Sequence, residues 1–331
     1  MSLLGNLTSG LTGLPGFGSQ IPQKQIAINI ALANNSQTGQ PNTFAGTGSN
    51  QLNIQGLRSS VRIRNAGSVN SEASVRIWGL PPSQMNQLSM LGLVWNVLSA
   101  NIVTIKAGDS TVGMATVFQG TIIHSYGDYE NQPEAPFIME ASFSGVNNVT
   151  NIKESNYPKS FAVTDALKAV AGKMGLGFNG HDVSVQLPSM YVSGSPLQQA
   201  RKLARAANID IGSYDSIMHA LTKTGNNEAP PVIISPSNGM ISYPAFTPQG
   251  LVVKTLFNPQ INFKSLIQVN SSVLSAIAAL KTSGGSQFPT QWTVNKMDLD
   301  LDAQVPGGQW MTTCYGYNPK FAPGIIAPGQ V

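Results

Sequence analysis

Charge is scarce in this chain of 331 residues. Only 10% are Asp, Glu, Lys or Arg, where about 25% is usual. The hydrophobic share is an ordinary 41%, so the missing charge has become Ser, Thr, Asn, Gln and Gly. A protein free in solution keeps its surface soluble with interspersed charge of both signs. So little charge points to a chain that hides much of its surface in an assembly. A polar, uncharged extracellular β protein is the alternative that composition leaves open.

Other scarcities exclude chemistry. Cys314 is the only cysteine, so there is neither an internal disulfide nor a cysteine metal cluster. Its setting, Trp310 to Tyr317, alternates like a strand, which suits a buried structural thiol. The three histidines, His124, His181 and His219, lie far apart along the chain. There is no His-Glu-x-x-His, no Gly-x-Ser-x-Gly elbow and no Gly-x-x-x-x-Gly-Lys phosphate loop. Aromatic residues make up 7%, too few to suggest a sugar-binding platform. No apolar run reaches the ~18 residues a spanning helix needs, so no membrane insertion is expected. The first charged residue is Lys24, so no secretory signal with a basic start is expected. The net charge of +4 would suggest nucleic acid only if the basic residues were clustered. They are spread along the chain, with no Lys/Arg stripe interleaved with aromatics.

What is present is mostly alternation. Residues 1–23 are rich in Gly, Leu, Ser and Thr and read as an extended arm that orders only against neighbouring surfaces in an assembly. The region 24–150 opens with Ile26, Ile28, Ile30 and Leu32 at period two. Val61 and Ile63 then alternate with Arg62 and Arg64, and Val75 and Ile77 with Arg76 and Trp78. These two strands should pair. Like charges directly opposite would repel, so a diagonal register or carboxylate partners such as Glu72 and Glu140 are expected. Pro82 starts a short helix to Leu91, followed by strands near 101–107, 114–125 and 136–144. This order suits a β-barrel or a split sheet carrying one helix.

Residues 151–215 change character and read as a small α/β domain. A helix runs from Ser160 to Gly175. A second begins after Ser195-Pro196, a cap residue followed by proline at the first helical position. Arg201, Lys202 and Arg205 lie off its apolar face and read as a solvated helix face. In 216–318 alternation returns. Asn238-Gly239 signals a hairpin turn. Strands follow at 250–257, 264–271, 291–302 and 308–317, with an apolar helical insertion at Ser272–Lys281. Residues 319–331 form an extended tail.

Two acidic features invite a chemical reading. Asp298, Asp300 and Asp302 resemble the start of a calcium loop, but that loop needs Gly at its sixth position and a carboxylate at its twelfth. Those places hold Ala303 and Gln309. Leu299 and Leu301 make the stretch a strand with one apolar and one acidic face. Glu130 and Glu134 lie in a proline-containing loop. A glycosidase pair would have to sit about 5–9 Å apart, and a solvated loop is the plainer reading.

Two blocks carry a resemblance. The first is Gly239-Met240-Ile241-Ser242-Tyr243-Pro244, then Gly250-Leu251-Val252-Val253, Leu256-Phe257-Asn258-Pro259 and Val269-Asn270-Ser271-Ser272. The second is Ser74 to Leu80, Met85 to Leu88, Ile105 to Gly108 and Phe118 to Ile122. Together they are similar to the central baseplate hub proteins of contractile phage tails, over roughly residues 25–318. Ser242 stands where that family's turn usually has Gly, which makes φ > 0 less accessible there.

The resemblance implies a mainly β fold with an α+β insertion, two tail-tube-like β-barrel domains flanking the small α/β domain. It implies a virion protein of the tail baseplate, without enzymatic activity or cofactor. That protein would be a homotrimer joining a sixfold tail tube protein to a threefold central spike protein, with DNA passing through its channel. In such a ring the acidic strand Asp298, Asp300, Asp302 is the candidate channel wall, because Lys and Arg would hold passing DNA by its phosphates. Trp78 and Phe257 are candidate core or interface residues. A tail-associated cell-wall hydrolase and a carbohydrate-binding β protein of a virion surface remain as rival readings.

Overall fold

The structure, a computed structural model, describes residues 23–34, 40, 42–44, 48–89, 101–109, 113–130, 132–145, 152–247, 250–272 and 290–318. The arm 1–22, most of the insertion 272–281 and the tail 319–331 lie outside these residues.

The first region contributes β1 (Gln25–Ala31), β2 (Gln51–Gln55), β3 (Ser59–Arg64), β4 (Glu72–Ile77), helix α1 (Pro82–Leu88), β5 (Ile102–Asp109), β6 (Gly113–Gly127) and β7 (Phe137–Ser142). Each strand buries alternate residues, as period-two patterning dictates. In β3, Val61 and Ile63 are buried while Arg62 and Arg64 point away. Helix α1 ends at Leu88, earlier than the sequence suggests, with Ser89 in an extended conformation bonding back to Met85.

The middle region forms β8 (Ser155–Tyr157), β9 (Phe161–Ala162), α2 (Val163–Lys173), β10 (Gly177–Asn179), β11 (Gln186–Leu187), β12 (Met190–Val192), α3 (Pro196–Ala206) and β13 (Ile209–Tyr214), together with β14 (Ile217–Thr222), which lies past residue 215 but pairs with β10 and β13. Ser195 caps α3 in a reciprocal capping box with Gln198, so the cap read from sequence is correct. The two helices cover a three-stranded sheet, β10–β14–β13. Their buried residues, such as Leu167, Val170, Leu197 and Leu203, form a second core separate from that of the large sheet.

The last region supplies β15 (Val232–Ile234), β16 (Ala245–Thr247), β17 (Gly250–Leu256), β18 (Leu266–Val269), β19 (Gln291–Ala303) and β20 (Trp310–Tyr317). The sequence expectation of a hairpin at Asn238-Gly239 needs correction. The turn exists, with the Asn238 and Met240 amides donating to the Ser235 carbonyl. Its flanks do not pair as hairpin arms. β15 instead runs parallel to β18, and Met240 bridges to Thr255 of β17. Burial of Ile234 and Val269 in the core outweighs the local turn preference. Ser242 does not adopt a positive φ, so the turn does without glycine there.

The first and last regions share one 13-stranded sheet, ordered β16–β17–β20–β19–β3–β4–β7–β6–β5–β1–β2, with β18 beside β19 and β15 beside β18. The fold is mainly β, and no closed barrel is present among the described residues. The long strand β19 is the splice. Its first half pairs with β18 of its own region, and its second half pairs with β3 of the first region. The middle region meets both of them at Gly67. Gly67, between β3 and β4, accepts a hydrogen bond from the Ser213 amide. It has φ +76, and a Cβ there would sit 2.8 Å from the Cβ of Phe263. Only glycine allows three segments to approach this closely.

Candidate functional site

The arginine-bearing strands pair so that no arginine faces another. Arg62 lies opposite Ser74, Arg76 opposite Ser60, and Arg64 opposite Glu72. On its other side β3 meets β19, where Asp300 lies opposite Arg62 and Asp302 opposite Ser60. The side chains of Leu299, Leu301, Val61, Ile63, Val75 and Met139 go into the core. Their alternates therefore build one continuous polar face across β17, β20, β19, β3, β4 and β7.

That face is a charge ladder. Lys254, Lys296, Arg62, Arg64 and Arg76 share it with Asp298, Asp300, Asp302, Glu72 and Glu140, five groups of each sign. Arg62 donates to both oxygens of Asp302, at 2.8 and 3.2 Å. Asp300 receives Arg62 Nε at 3.4 Å and Arg64 at 2.9 Å. Asp298 accepts from the Asn65 amide at 3.0 Å and lies 3.7 Å from Lys296 Nζ. The candidate channel residues Asp298, Asp300 and Asp302 thus sit together. Asp298 and Asp302 are buried, and all three are engaged with cations. Sequence spacing located the acidic face but not the arginines that neutralise it, because those come from a strand more than 230 residues away.

Burial alone would push the Asp302 carboxyl up. Hydrogen bonds from Arg62, Ser60 and the Gln309 amide, with the Arg62 charge, outweigh it and hold the group below its ordinary value. A carboxyl held down in the fold stabilises fully above its unfolded pKa, and that stabilisation is lost as pH falls through the folded value. The wild type should therefore lose stability below about pH 4. Asp302→Asn should show a shallower acid limb in denaturant midpoints measured from pH 6 to pH 3. An identical slope in both proteins would remove this role.

Trp78 is half-buried and lies against the Arg58 guanidinium, 4.5 Å from ring centroid to Cζ. Arg58 in turn pairs with Glu134 at 2.8 Å on the surface. Phe257 belongs to the core and packs edge-on against Trp310 at 5.5 Å. Phe257→Ala should cost about 3 kcal/mol, whereas Trp78→Ala should cost under about 1 kcal/mol, the scale of an exposed cation–π contact. Equal losses for the two variants in chemical denaturation would contradict this assignment.

Two buried clusters escaped sequence reasoning. The Lys264 side chain, 1% exposed, donates to Asp210 Oδ2 at 2.8 Å and to the Lys223 carbonyl at 2.9 Å. Lys223 binds the other Asp210 oxygen. Burial pushes the Lys264 ammonium down, while Asp210 opposes the shift and Lys223 adds to it. The cluster fastens β13 to the segment before β18. The second is a histidine pair. His181 Nε2 and His219 Nδ1 are 2.9 Å apart, and Tyr214 stacks on His219 at 3.8 Å. The histidines distant in sequence are therefore neighbours in two cases of three. Burial, then the charge of His181, pushes His219 down to about 4.

Among the described residues, no group of three or more His, Cys, Asp or Glu side chains could hold a metal ion. Burial pushes the Cys314 thiol up to about 12, which suits an inert core group rather than a nucleophile. Of the three basic residues of α3, Arg201 is tied to Asn70 of the first region, while Lys202 and Arg205 are exposed. Among the described residues, no helix is long and apolar enough to cross a membrane.

Comparison with solved structures places this architecture among tail proteins. A 43 kDa tail protein of prophage MuSo2 from Shewanella oneidensis is similar at a TM-score of 0.55 and 10% identity, over 92% of this chain and 99% of that one. A tail protein from Neisseria meningitidis is similar at 0.54 and 9% identity, over 92% and 98%. The E. coli c3393 protein is described as a component of the type VI secretion system with structural similarity to T4 tail proteins. It is similar at 0.50 and 8% identity, over 82% and 76%. At such identities the likeness speaks for the fold. No curated protein matches in sequence. The model of one family, the baseplate hub gp41, matches residues 43–279. That match runs from the first strand region through the middle region into the last, so the chain belongs to the baseplate hub gp41 family.

Proposed function

We propose that this baseplate hub protein is a homotrimeric adaptor of the virion, joining the sixfold tail tube to the threefold central spike and leaving a channel for DNA. The observation that carries the reading is the shared sheet. Two strand-rich regions of one chain are spliced side by side through β19 and β3, which supports reading each region as one of two comparable units. Three chains then present six such units to the tube while keeping threefold symmetry for the spike, the closed cyclic arrangement usual for rings. The charge ladder is the candidate channel wall on this reading. It carries Arg62, Arg64 and Arg76 beside Asp298, Asp300 and Asp302, so it is not the wall poor in basic groups that the sequence argument expects, and a map with these arginines lining the channel would end that lining argument. The role is mechanical, without catalysis.

The test is a density map of the full chain assembled with its tube and spike proteins. Three copies with the two strand regions alternating around one channel are expected. A true hexamer, a dimer, or strand regions stacked along the axis would end the model. Turnover of purified peptidoglycan that vanished on one Asp or Glu substitution would favour a hydrolase instead.

A further inference from the structure

Two of the three histidines meet in the three-stranded sheet of the middle region. His181 follows β10 in a loop and has φ +41, a left-handed backbone uncommon for a residue with a side chain. His219 lies on β14, in register with Asn179 of β10 on one side and Gly212 of β13 on the other. His181 Nε2 stands 2.9 Å from His219 Nδ1. Tyr214 stacks on the His219 ring, 4° from parallel. His219 is 5% exposed, and its Nε2 is buried with no partner in hydrogen-bonding geometry.

A hydrogen bond between two ring nitrogens needs one proton between them. One ring donates, and the other must keep a bare nitrogen to accept. A proton on each nitrogen sets two donors face to face and two like charges on rings whose centres are 5.2 Å apart. The surrounding charges are engaged elsewhere. Asp210, two residues from Gly212 on β13, is held by Lys264 and Lys223. Asp182 is exposed and accepts from Thr222 of β14. Asp215, in the turn after β13, adds to the burial that raises the Tyr214 phenol. Helix α2 packs on β10 and β14 with Ala166, Leu167 and Val170 buried and Asp165 and Lys168 exposed. Helix α3 packs on β13 with Arg201 on Asn70 and with Lys202 and Arg205 exposed. Among the described residues, no carboxylate forms an ion pair with either ring.

We infer that His181 and His219 form an acid-sensitive latch, closed while one proton lies between the rings and open once each nitrogen carries its own. Opening releases the loop at His181 from β14. It also loosens β10, an edge strand whose ladder with β14 spans only Gly177–Asn179. Burial, then the charge of His181, hold His219 down to about 4, although the Tyr214 backbone pulls the other way. A base held down in the fold contributes its full stabilisation above the ordinary value of about 6.5, and loses it as pH falls towards the folded value. The latch therefore works between about pH 6.5 and pH 4, and it does not depend on the oligomeric state proposed above.

Hydrogen exchange of the full chain, followed by mass spectrometry from pH 7.5 to pH 4.5 and corrected for the intrinsic slowing in acid, tests this. Protection over residues 177–183 should fall by at least about tenfold across that range, the effect of one proton over one pH unit. Helix α3 and the 13-stranded sheet should keep theirs. In His219→Gln and in His181→Gln the fall should disappear, because a glutamine amide can turn to meet either a donor or an acceptor. A wild type with flat protection over 177–183 overturns the inference, and so does either variant that keeps the wild-type fall. Should a variant fail to fold, the imidazole resonances of the wild type decide. His219 should titrate in step with the loss of protection, and a titration without that loss overturns the latch.

Discussion

Asp210→Ala should lower the stability of the chain by about 3–5 kcal/mol, the scale for breaking a buried ion pair by removing one partner. Asp210 accepts from Lys264 and Lys223 at once, and the Lys264 side chain is 1% exposed. Without the carboxylate, a buried ammonium loses its counter-charge and cannot reach water. The loss should exceed that of Lys264→Met, which leaves Asp210 still paired with Lys223. The double variant Asp210→Leu/Lys264→Met should recover much of the loss, because an apolar pair of similar volume removes the desolvation penalty with the charge. Denaturant midpoints at constant slope measure all three. Additive losses in the double variant would show that the two groups do not act as a pair. The cluster fastens the middle region to the last.

Trp292→Ala should cost about 5 kcal/mol, the upper end for large-to-small changes in a core. Trp292 is 0% exposed and heads the fully buried side chains by volume. It pairs with Ile267 across β18–β19, and Phe246 of the edge strand β16 lies 6.3 Å away, ring to ring. Gly316 of β20, which lies opposite Val294, leaves room for it, since a Cβ there would come within 2.9 Å of the Trp292 Cβ. The surroundings are fixed by three strands and cannot collapse into the space left behind. Trp292→Phe should cost less, because part of the volume remains. A thermal melt of Trp292→Ala within 2 °C of wild type, about a 1 kcal/mol change at this size, would refute the assignment.

Much of the fold was legible residue by residue. Val61 and Ile63, Val75 and Ile77, and Leu299 and Leu301 are buried as their alternation demands, because a strand turns successive side chains to opposite faces. Ser195 caps its helix because its hydroxyl and the proline after it prefer that place regardless of context. The turn at Asn238-Gly239 was equally local, yet its strands went elsewhere. Ile234 found a deeper site beside Val269 than a hairpin would offer. The acidic face of β19 was visible, but its neutralisation by Arg62 and Arg64 was not.

The sequence by itself determined the strands, their buried faces, the helix cap and the poverty of charge that points to an assembly. Each of these depends on neighbours within a few residues or on bulk composition. The tertiary structure decided the rest. It spliced two strand regions into one sheet through β19 and β3, and it brought His181 to His219 and Lys264 to Asp210. It also chose Gly67 for the place where three segments meet. Such contacts join residues far apart in the chain, and their energies come from burial and from charges facing each other in a dry interior. Neither depends on local spacing, so no pattern along the chain records them.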